Sequence, residues 1–103
     1  MNFIRFSMIE STKVAEFTKV SDKVWASPPK GIKPQAIYAC LGIAFPNQPP
    51  NTIISINVLE AESAESLGAA SYPLTLVGAT VWAVPVLEVP VGGVAQVEKK
   101  LRG

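Results

Sequence analysis

The sequence predicts a single α+β domain in the order strand, helix, strand, strand, helix, strand, with a short helix at the C-terminus. Apolar side chains alternate along four short segments, which is the period of a β-strand. They recur every three or four residues along two longer segments between those strands. The chain has 103 residues, enough for one domain and too few for two. We therefore expect one domain over residues 1–103, with a helical tail over residues 91–103.

The first half of the chain contains a strand, an amphipathic helix and a second strand. Along residues 2–8 every second residue is apolar and is predicted to point to the same side, which is the period of a β-strand. The hydroxyl of Ser11 is expected to cap the helix that follows, and this helix ends near Ala26 because two prolines come shortly afterwards. Residues 35–45 form the second predicted strand, and a turn over residues 46–51 connects it to the third.

The second half follows the same order. Residues 52–59 alternate like a strand that returns antiparallel, and the acidic residues after it indicate the start of a second helix. Pro73 is expected to limit that helix to about Tyr72. The segment 79–89 is rich in β-branched residues and is the fourth predicted strand. Apolar residues at helical spacing predict the short helix within the tail.

The order of the elements also predicts the sheet. Right-handed crossovers through the two helices place strands one and three in the centre and strands two and four at the edges. Proline cannot donate to a neighbouring strand and glycine weakens a strand interior, so Pro85 in strand four and Gly42 in strand two both indicate edges. The result is a four-stranded antiparallel sheet of order 4-1-3-2 with both helices on one face, which is the ferredoxin-like arrangement.

The sheet face opposite the helices is predicted to carry almost no charge. Arg5 is its one charged residue on the central strands. Its other polar and aromatic residues are Ser7, Tyr38, Cys40, Ser55, Asn57 and Trp82. A solvated sheet face is expected to alternate with charged residues. We therefore expect two copies to pack through this face as a homodimer that forms a closed or half-closed barrel.

Charge, cysteine and histidine content exclude several classes of function. The net charge of +1 gives no general attraction to nucleic acid, and no apolar run is long enough to span a membrane. The single cysteine, Cys40, allows no internal disulfide, so we expect a cytoplasmic protein. The absence of histidine removes Ser-His-Asp catalysis, His-ligated haem and His-containing zinc sites. We expect neither a metal site nor a cofactor.

Four residues are candidates for binding a small molecule: Arg5, Tyr38, Asn57 and Trp82. Arginine is seldom buried without a partner, and on an open sheet face Arg5 is suited to grip a carboxylate or an enolate. The other three are suited to orient a planar aromatic ligand. The alternatives stay open: Arg5 forms an ion pair across the dimer, and the aromatic residues fill the dimer core.

Several segments together carry a resemblance to a known family. They are Phe3-Ile4-Arg5-Phe6-Ser7-Met8, the helix from Ser11 into Pro28-Pro29-Lys30-Gly31-Ile32-Lys33, Tyr72-Pro73, and Val84-Pro85-Val86-Leu87-Glu88. Over about residues 1–90 the chain resembles the dimeric α/β-barrel superfamily, and most of all its small uncharacterised single-domain members. Antibiotic-biosynthesis-type monooxygenases are similar in architecture. The resemblance implies a dimer with a pocket between sheet and helices, and activities from cofactor-independent oxygenation to ligand sensing.

Two classes of function therefore remain. The first is a ligand-binding or structural homodimer without catalysis. The alternative is a cofactor-independent, monooxygenase-like enzyme that acts on a small aromatic or anionic substrate. An RNA-recognition motif is excluded because residues 52–59 contain no aromatic residue, and a copper chaperone because there is no cysteine pair. Whether the chain is an enzyme stays open at this level, as does an amino-acid-sensing regulatory domain.

Overall fold

The computed structural model describes residues 1–103 as four strands and three α-helices. The elements are β1 (Asn2–Glu10), α1 (Val14–Ala26), β2 (Ile32–Ala39), β3 (Thr52–Ala61), α2 (Ala64–Leu76), β4 (Thr80–Pro85) and α3 (Val94–Arg102). A single turn of 3-10 helix, Ser11–Lys13, joins β1 to α1. No helix has the length and apolar character needed to cross a membrane.

The four strands form one antiparallel sheet in the order β2-β3-β1-β4. This order confirms the predicted arrangement, and the fold is ferredoxin-like βαββαβ with a short C-terminal helix. The two central strands, β1 and β3, pair over nine consecutive positions, from Asn2 opposite Glu60 to Glu10 opposite Thr52. Neither of these strands contains proline or glycine, so neither has an interrupted ladder.

Both edge strands contain a proline, although the sequence indicated only the one in β4. Pro85 is the last residue of β4, as an edge strand allows. In β2 the pairing with β3 shifts between Pro34 and Ala36, so the proline lies at an irregularity where no ladder bond is needed. Gly42 lies beyond the end of β2, and the inference that it indicated an edge strand was therefore wrong.

The second and fourth strands are shorter than predicted. β2 ends at Ala39, and the segment 40–51 is a loop even though its apolar residues alternate. Leu41 and Ile43 are almost fully exposed in this loop because no strand lies beside them. β4 ends at Pro85, whereas the predicted strand continued to Val89. After it, Val86 N donates to Asn2 O, and the chain then leaves the sheet towards α3.

The two long helices differ from the prediction at one end each. Ser11 does not cap α1, because the 3-10 turn intervenes and no side chain caps either helical segment. Ser63 caps α2, with its hydroxyl accepting from Ser66 N at 3.1 Å. α2 continues past Pro73 to Leu76, so the predicted end near Tyr72 was wrong. Proline removes one helical hydrogen bond, and the burial of Leu74 after it favours continuing the helix.

The apolar core lies between the sheet and the two helices in two separate clusters. Ile9, Phe17, Leu74 and Ala79 form the first cluster. Ile32, Leu59, Ala61 and Ala70 form the second. Three polar residues of the central strands, Arg5, Ser7 and Asn57, are also buried in this layer. The polar residues therefore occupy the middle of the helix-covered face, and they define the site described next.

Candidate functional site

The side chain of Arg5 is the centre of a buried polar network between the sheet and the helices. It is 1% exposed and reaches from β1 across to β3 and α2. Nε and Nη2 donate to the same oxygen, Oδ1 of Asn57, at 3.0 and 2.8 Å. Nη1 donates to the carbonyl of Ala70 at 2.9 Å and to the hydroxyl of Ser71 at 3.2 Å. One guanidinium thus links the two central strands to α2.

No carboxylate neutralises this guanidinium. All its hydrogen-bond acceptors are neutral, and the only aromatic group over it is the Trp25 ring of α1, with the centroid 5.1 Å from Cζ. Burial lowers the pKa of Arg5 from its ordinary value to about 10, because the charged form is separated from water. The side chain remains a cation at neutral pH, and the cation–π contact with Trp25 compensates part of its lost hydration.

Two further donors in the same layer have no partner. The hydroxyl of Ser7 and the indole Nε1 of Trp25 are both buried without a hydrogen bond. Ser7 is two residues after Arg5 on β1 and is fully buried, and Ser55 lies opposite it on β3. Buried polar groups in folded proteins are nearly always paired, so these two groups are the least satisfied polar atoms of the layer.

A cleft of about 250 Å³ opens beside this network, between α1 and the β2–β3 edge of the sheet. Its apolar lining includes Val14, Phe17, Ile37 and Ile53, and its polar lining includes Ser21, Asp22 and Ser55. The volume is just below the range of about 300–1,000 Å³ that holds drug-sized ligands, so it is suited to a smaller molecule. The cleft is smaller and more enclosed than the four other main depressions on the molecule.

The polar residues of the central strands lie on the sheet face opposite to the predicted one. Arg5, Ser7, Ser55 and Asn57 were predicted on the open face, but they face the helices, where Arg5 bonds to α2 and Ser55 lines the cleft beside α1. The physical reason is the network itself. Four hydrogen bonds to Arg5 supply partners that the sequence does not reveal, so the polar side of each strand is the covered one.

The open face of the sheet is consequently apolar along its centre. Its residues on the two central strands are Ile4, Phe6, Met8, Ile54, Ile56 and Val58. Trp82 of β4 stacks on Phe6 with a centroid distance of 5.3 Å. From the loop after β2, Phe45 reaches Trp82 edge-on at 6.2 Å, so this loop crosses the open face from one edge strand towards the other.

The four predicted ligand-binding residues therefore do not form one site. Arg5 and Asn57 are bonded to each other under the helices. Tyr38 lies opposite Ile56, and Trp82 lies opposite Phe6, both on the open face. A single ligand cannot contact all four within one chain, because the sheet separates the two pairs. Their role in ligand binding stays a prediction, now divided between two faces.

Three features of the buried layer were not predicted from the sequence: the Trp25 ring over Arg5, the buried hydroxyl of Ser7, and Ser71 as a partner of Arg5. One signal was available for Trp25, since it continues the helical spacing of Phe17 and Ser21 on the face of α1 that covers the sheet. No signal marked Ser71, because its contact with Arg5 depends on how α2 packs. The structure contains no cluster of three or more metal-ligating side chains among His, Cys, Asp and Glu.

Comparisons with known proteins identify the fold. No known family matches the sequence, and no curated protein matches it either. The C-terminal domain of the MgtC protein from Mycobacterium tuberculosis is similar in structure, with a TM-score of 0.59 and 10% identity over 81% of this chain and 84% of that domain. A DUF3240 family protein from Shewanella baltica OS155 matches with a TM-score of 0.49 and 9% identity over 86% of this chain and 93% of that protein. At such identities the first likeness shows the shared α+β fold alone.

Proposed function

We propose that this chain acts as a homodimeric binding or structural protein without catalytic activity, in which two copies pack through the open faces of their sheets. The observation that carries the proposal is the distribution of side chains on the central strands. Polar residues such as Arg5 and Asn57 are under the helices, whereas Phe6 and Ile56 are on the face that no helix covers. A two-layer domain that works alone is expected to have the opposite distribution.

The loop after β2 crosses part of this face and Ile54 is fully buried there, but apolar and aromatic side chains of the two edge strands stay exposed. Tyr38 is 60% exposed, Val84 is 42% exposed and Trp82 is 36% exposed. Exposed apolar side chains that share one face of a small domain commonly belong to an interaction surface. Aromatic residues, of which this face has several, are also enriched where proteins meet.

A second copy is the occupant we favour, because charges lie only at the two ends of the face. Lys33 and Glu60 are opposite each other at one end, and Glu10 is at the other. When two copies meet with their strands antiparallel, Glu10 of one copy approaches the end of the other that carries both Lys33 and Glu60, so Lys33 is shared between two carboxylates. The apolar centres then meet each other without a buried charge. The resemblance to the dimeric α/β-barrel superfamily points in the same direction.

Light scattering tests the proposal with a matched pair of tyrosine variants. Tyr38 and Tyr72 are similarly exposed, at 60% and 63%, but Tyr38 is on the open face and Tyr72 is on α2. We expect the wild type to have twice the chain mass of 11.0 kDa. Tyr38→Glu is expected to be monomeric because it buries a charge at the interface. Tyr72→Glu is expected to stay dimeric.

Two outcomes overturn the proposal. One is a wild-type mass of a single chain at a concentration of about 100 μM, at which a dimer with micromolar affinity is nearly complete. The other is an unchanged mass for Tyr38→Glu, which removes the open face from the interface. Circular dichroism of both variants establishes that the comparison is made between folded proteins.

A further inference from the structure

The edge strand β2 is only partly covered on the helix side of the sheet. Helix α1 packs on β1 and on α2 rather than on β2. Ile37 and Ala39 belong to the helix side, because they are paired with Asn57 and Ser55, and both are exposed. The cleft of about 250 Å³ beside α1 is the space that this arrangement leaves. It is therefore an apolar gap in the layer of helices, separate from the buried network of Arg5.

The cleft follows α1 for about two helical turns. Val14, at the start of the helix, packs against the core cluster of Ile9. Trp25, near its end, packs against the cluster of Leu59. Since Ile9 and Leu59 lie at opposite ends of the central strands, the helix runs along these strands. Val14 and Asp22 both line the cleft, and their separation along the helix corresponds to about 12 Å.

The two ends of the cleft differ in polarity. The end at the start of α1 is lined by apolar side chains, among them Val14 and Ile53. The other end carries the hydroxyls of Ser21 and Ser55 and the carboxylate of Asp22. No lysine or arginine lines the cleft. It therefore offers an apolar wall at one end and three groups that accept hydrogen bonds, one of them negatively charged, at the other.

The carboxylate of Asp22 has no cationic partner within the chain. The one ion pair of the molecule joins Arg102 to Glu98 on α3. Lys19 precedes Asp22 by one turn of α1 but does not come within ion-pair distance of it. Asp22 is exposed as well as part of the lining, so a ligand bound in the cleft can reach its carboxylate.

We propose that this cleft binds a small organic amine, with its apolar body against Val14 and Ile53 and its ammonium group beside Asp22. A primary ammonium group has three N–H donors, and the carboxylate and the two serine hydroxyls supply acceptors for them. The apolar body displaces water from the lining at the other end. The site lies on the opposite side of the sheet from the proposed dimer surface and does not depend on it.

The charge of the ligand is decided by Asp22, because it is the one charged residue among those that line the cleft. Its carboxylate attracts an ammonium group and repels a ligand carboxylate. Since Asp22 is exposed, water and salt weaken both effects. We therefore expect most of the affinity to come from the apolar body, and the charge of Asp22 to select among ligands of the same size.

Nuclear magnetic resonance on ¹⁵N-labelled protein tests the site with three probes of similar size. Phenethylamine is a cation at neutral pH, phenethyl alcohol is neutral and hydrocinnamate is an anion. We expect phenethylamine to shift the backbone amide signals of Ser21, Asp22 and Ser55 in a saturable manner at millimolar concentration. The alcohol is expected to bind about threefold to fivefold more weakly, as for an exposed ion pair, and hydrocinnamate more weakly still. Added salt is expected to reduce the preference for the amine.

A pair of carboxylate variants on α1 tests the role of Asp22. Asp22→Asn keeps the shape of the side chain and removes its charge, so we expect it to bind phenethylamine and phenethyl alcohol equally. Glu16→Gln is the matched control, because Glu16 is exposed on the same helix but does not line the cleft. This variant has the same change of net charge and is expected to keep the preference of the wild type for the amine.

A pair of alanine variants tests the position of the apolar body. Ala39 lines the cleft and is exposed, so Ala39→Phe places a ring in the cleft without replacing a core residue. Ala95 is exposed on α3 and does not line the cleft, and Ala95→Phe is the matched control. We expect Ala39→Phe to weaken the binding of phenethylamine and of the alcohol about tenfold or more, and Ala95→Phe to leave both unchanged. The spectrum of each variant also reports whether it is folded.

Four results overturn the proposal. They are the absence of a saturable shift up to about 10 mM phenethylamine, equal binding of amine and alcohol by the wild type, an unchanged preference in Asp22→Asn, and full binding by Ala39→Phe. Light scattering of the same samples separates this failure from failure of the dimer. A monomer that binds phenethylamine supports the cleft and contradicts the dimer, and a dimer that does not bind it gives the reverse result.

Discussion

Arg5 and Asn57 are opposite each other on the two central strands, and Oδ1 of Asn57 accepts from both Nε and Nη2 of Arg5, at 3.0 and 2.8 Å. The carboxamide therefore holds the guanidinium from one side while α2 holds it from the other. Neither side chain has access to water, so each depends on the other for its hydrogen bonds. This pair fixes the centre of the helix-covered face.

Removing the carboxamide of Asn57 is expected to destabilise the protein strongly. In Asn57→Ala two N–H groups of a buried cation lose their acceptor. We expect the free energy of unfolding to fall by about 3 kcal/mol, measured by urea denaturation. Gln35→Ala, at an exposed position of β2, is the control and is expected to change stability by less than about 0.5 kcal/mol. A loss below about 1 kcal/mol for Asn57→Ala contradicts the importance of the pair.

The lowered pKa of Arg5, about 10, predicts how stability varies in strong base. The folded protein releases this proton at lower pH than the unfolded chain, whose arginine has its ordinary, higher pKa. Between those two values the unfolded state binds more protons, so this group's contribution to stability increases with pH there and is constant below about pH 9.

The measurement is the ¹³Cζ chemical shift of Arg5 followed from neutral pH upward, with a midpoint expected near 10. Subtracting the stability of Arg5→Met from that of the wild type at each pH removes the contribution of other titrating groups. This difference is expected to rise by up to about 1.4 kcal/mol per pH unit above the midpoint. A difference that falls with pH contradicts the assignment.

The central strands were the part of the fold that the sequence predicted best. β1 and β3 alternate without interruption and pair with each other along their whole length. Residues 40–45 of the loop after β2 were mistaken for strand because Leu41, Ile43 and Phe45 also alternate. Alternation reports that side chains point to opposite sides, but it does not report whether a partner strand is present. Here Pro49 and Pro50, which cannot donate to a ladder, come just before β3. The partner strand therefore does not extend far enough back to pair with this part of the loop.

The candidate site was predicted less well, and the reason is specific. Alternation separated Arg5 and Asn57 from Phe6 and Ile56 correctly, but it does not say which side the helices cover. Polarity suggested that the side with Arg5 was open. Packing decided otherwise, because Ala70 and Ser71 of α2 supply acceptors for the guanidinium. Such contacts join residues more than sixty positions apart and leave no local pattern in the sequence.

The loop that crosses the open face is expected to be held by Phe45. Its ring meets Trp82 edge-on at 6.2 Å, an arrangement that aromatic pairs favour. We expect Phe45→Ala to lower the free energy of unfolding by about 1–2 kcal/mol. Leu41→Ala, in the same loop but fully exposed, is the control and is expected to be neutral. A double-mutant cycle with Trp82→Ala measures the ring contact, and additive losses contradict it.

Helix α2 continues through Pro73, and this proline lowers the stability of the helix. Pro73 has no amide hydrogen, so the carbonyl of Ala69, four residues earlier, receives no helical hydrogen bond from it. The helix nevertheless continues to Leu76, because the burial of Leu74 against the core outweighs the lost bond.

Replacing this proline is therefore expected to stabilise the protein. Proline in a helix interior costs about 3 kcal/mol relative to alanine, and its restriction of the unfolded chain returns about 1 kcal/mol. We expect Pro73→Ala to raise the free energy of unfolding by about 1–2 kcal/mol in urea denaturation. Gly68→Ala in the same helix is the reference, because a Cβ there meets no atom within 4 Å and its gain of about 1 kcal/mol measures helix propensity alone. A loss of stability in Pro73→Ala alongside a gain in Gly68→Ala means that the proline ring, half-buried beside Leu74, contributes more by packing than it removes from the helix.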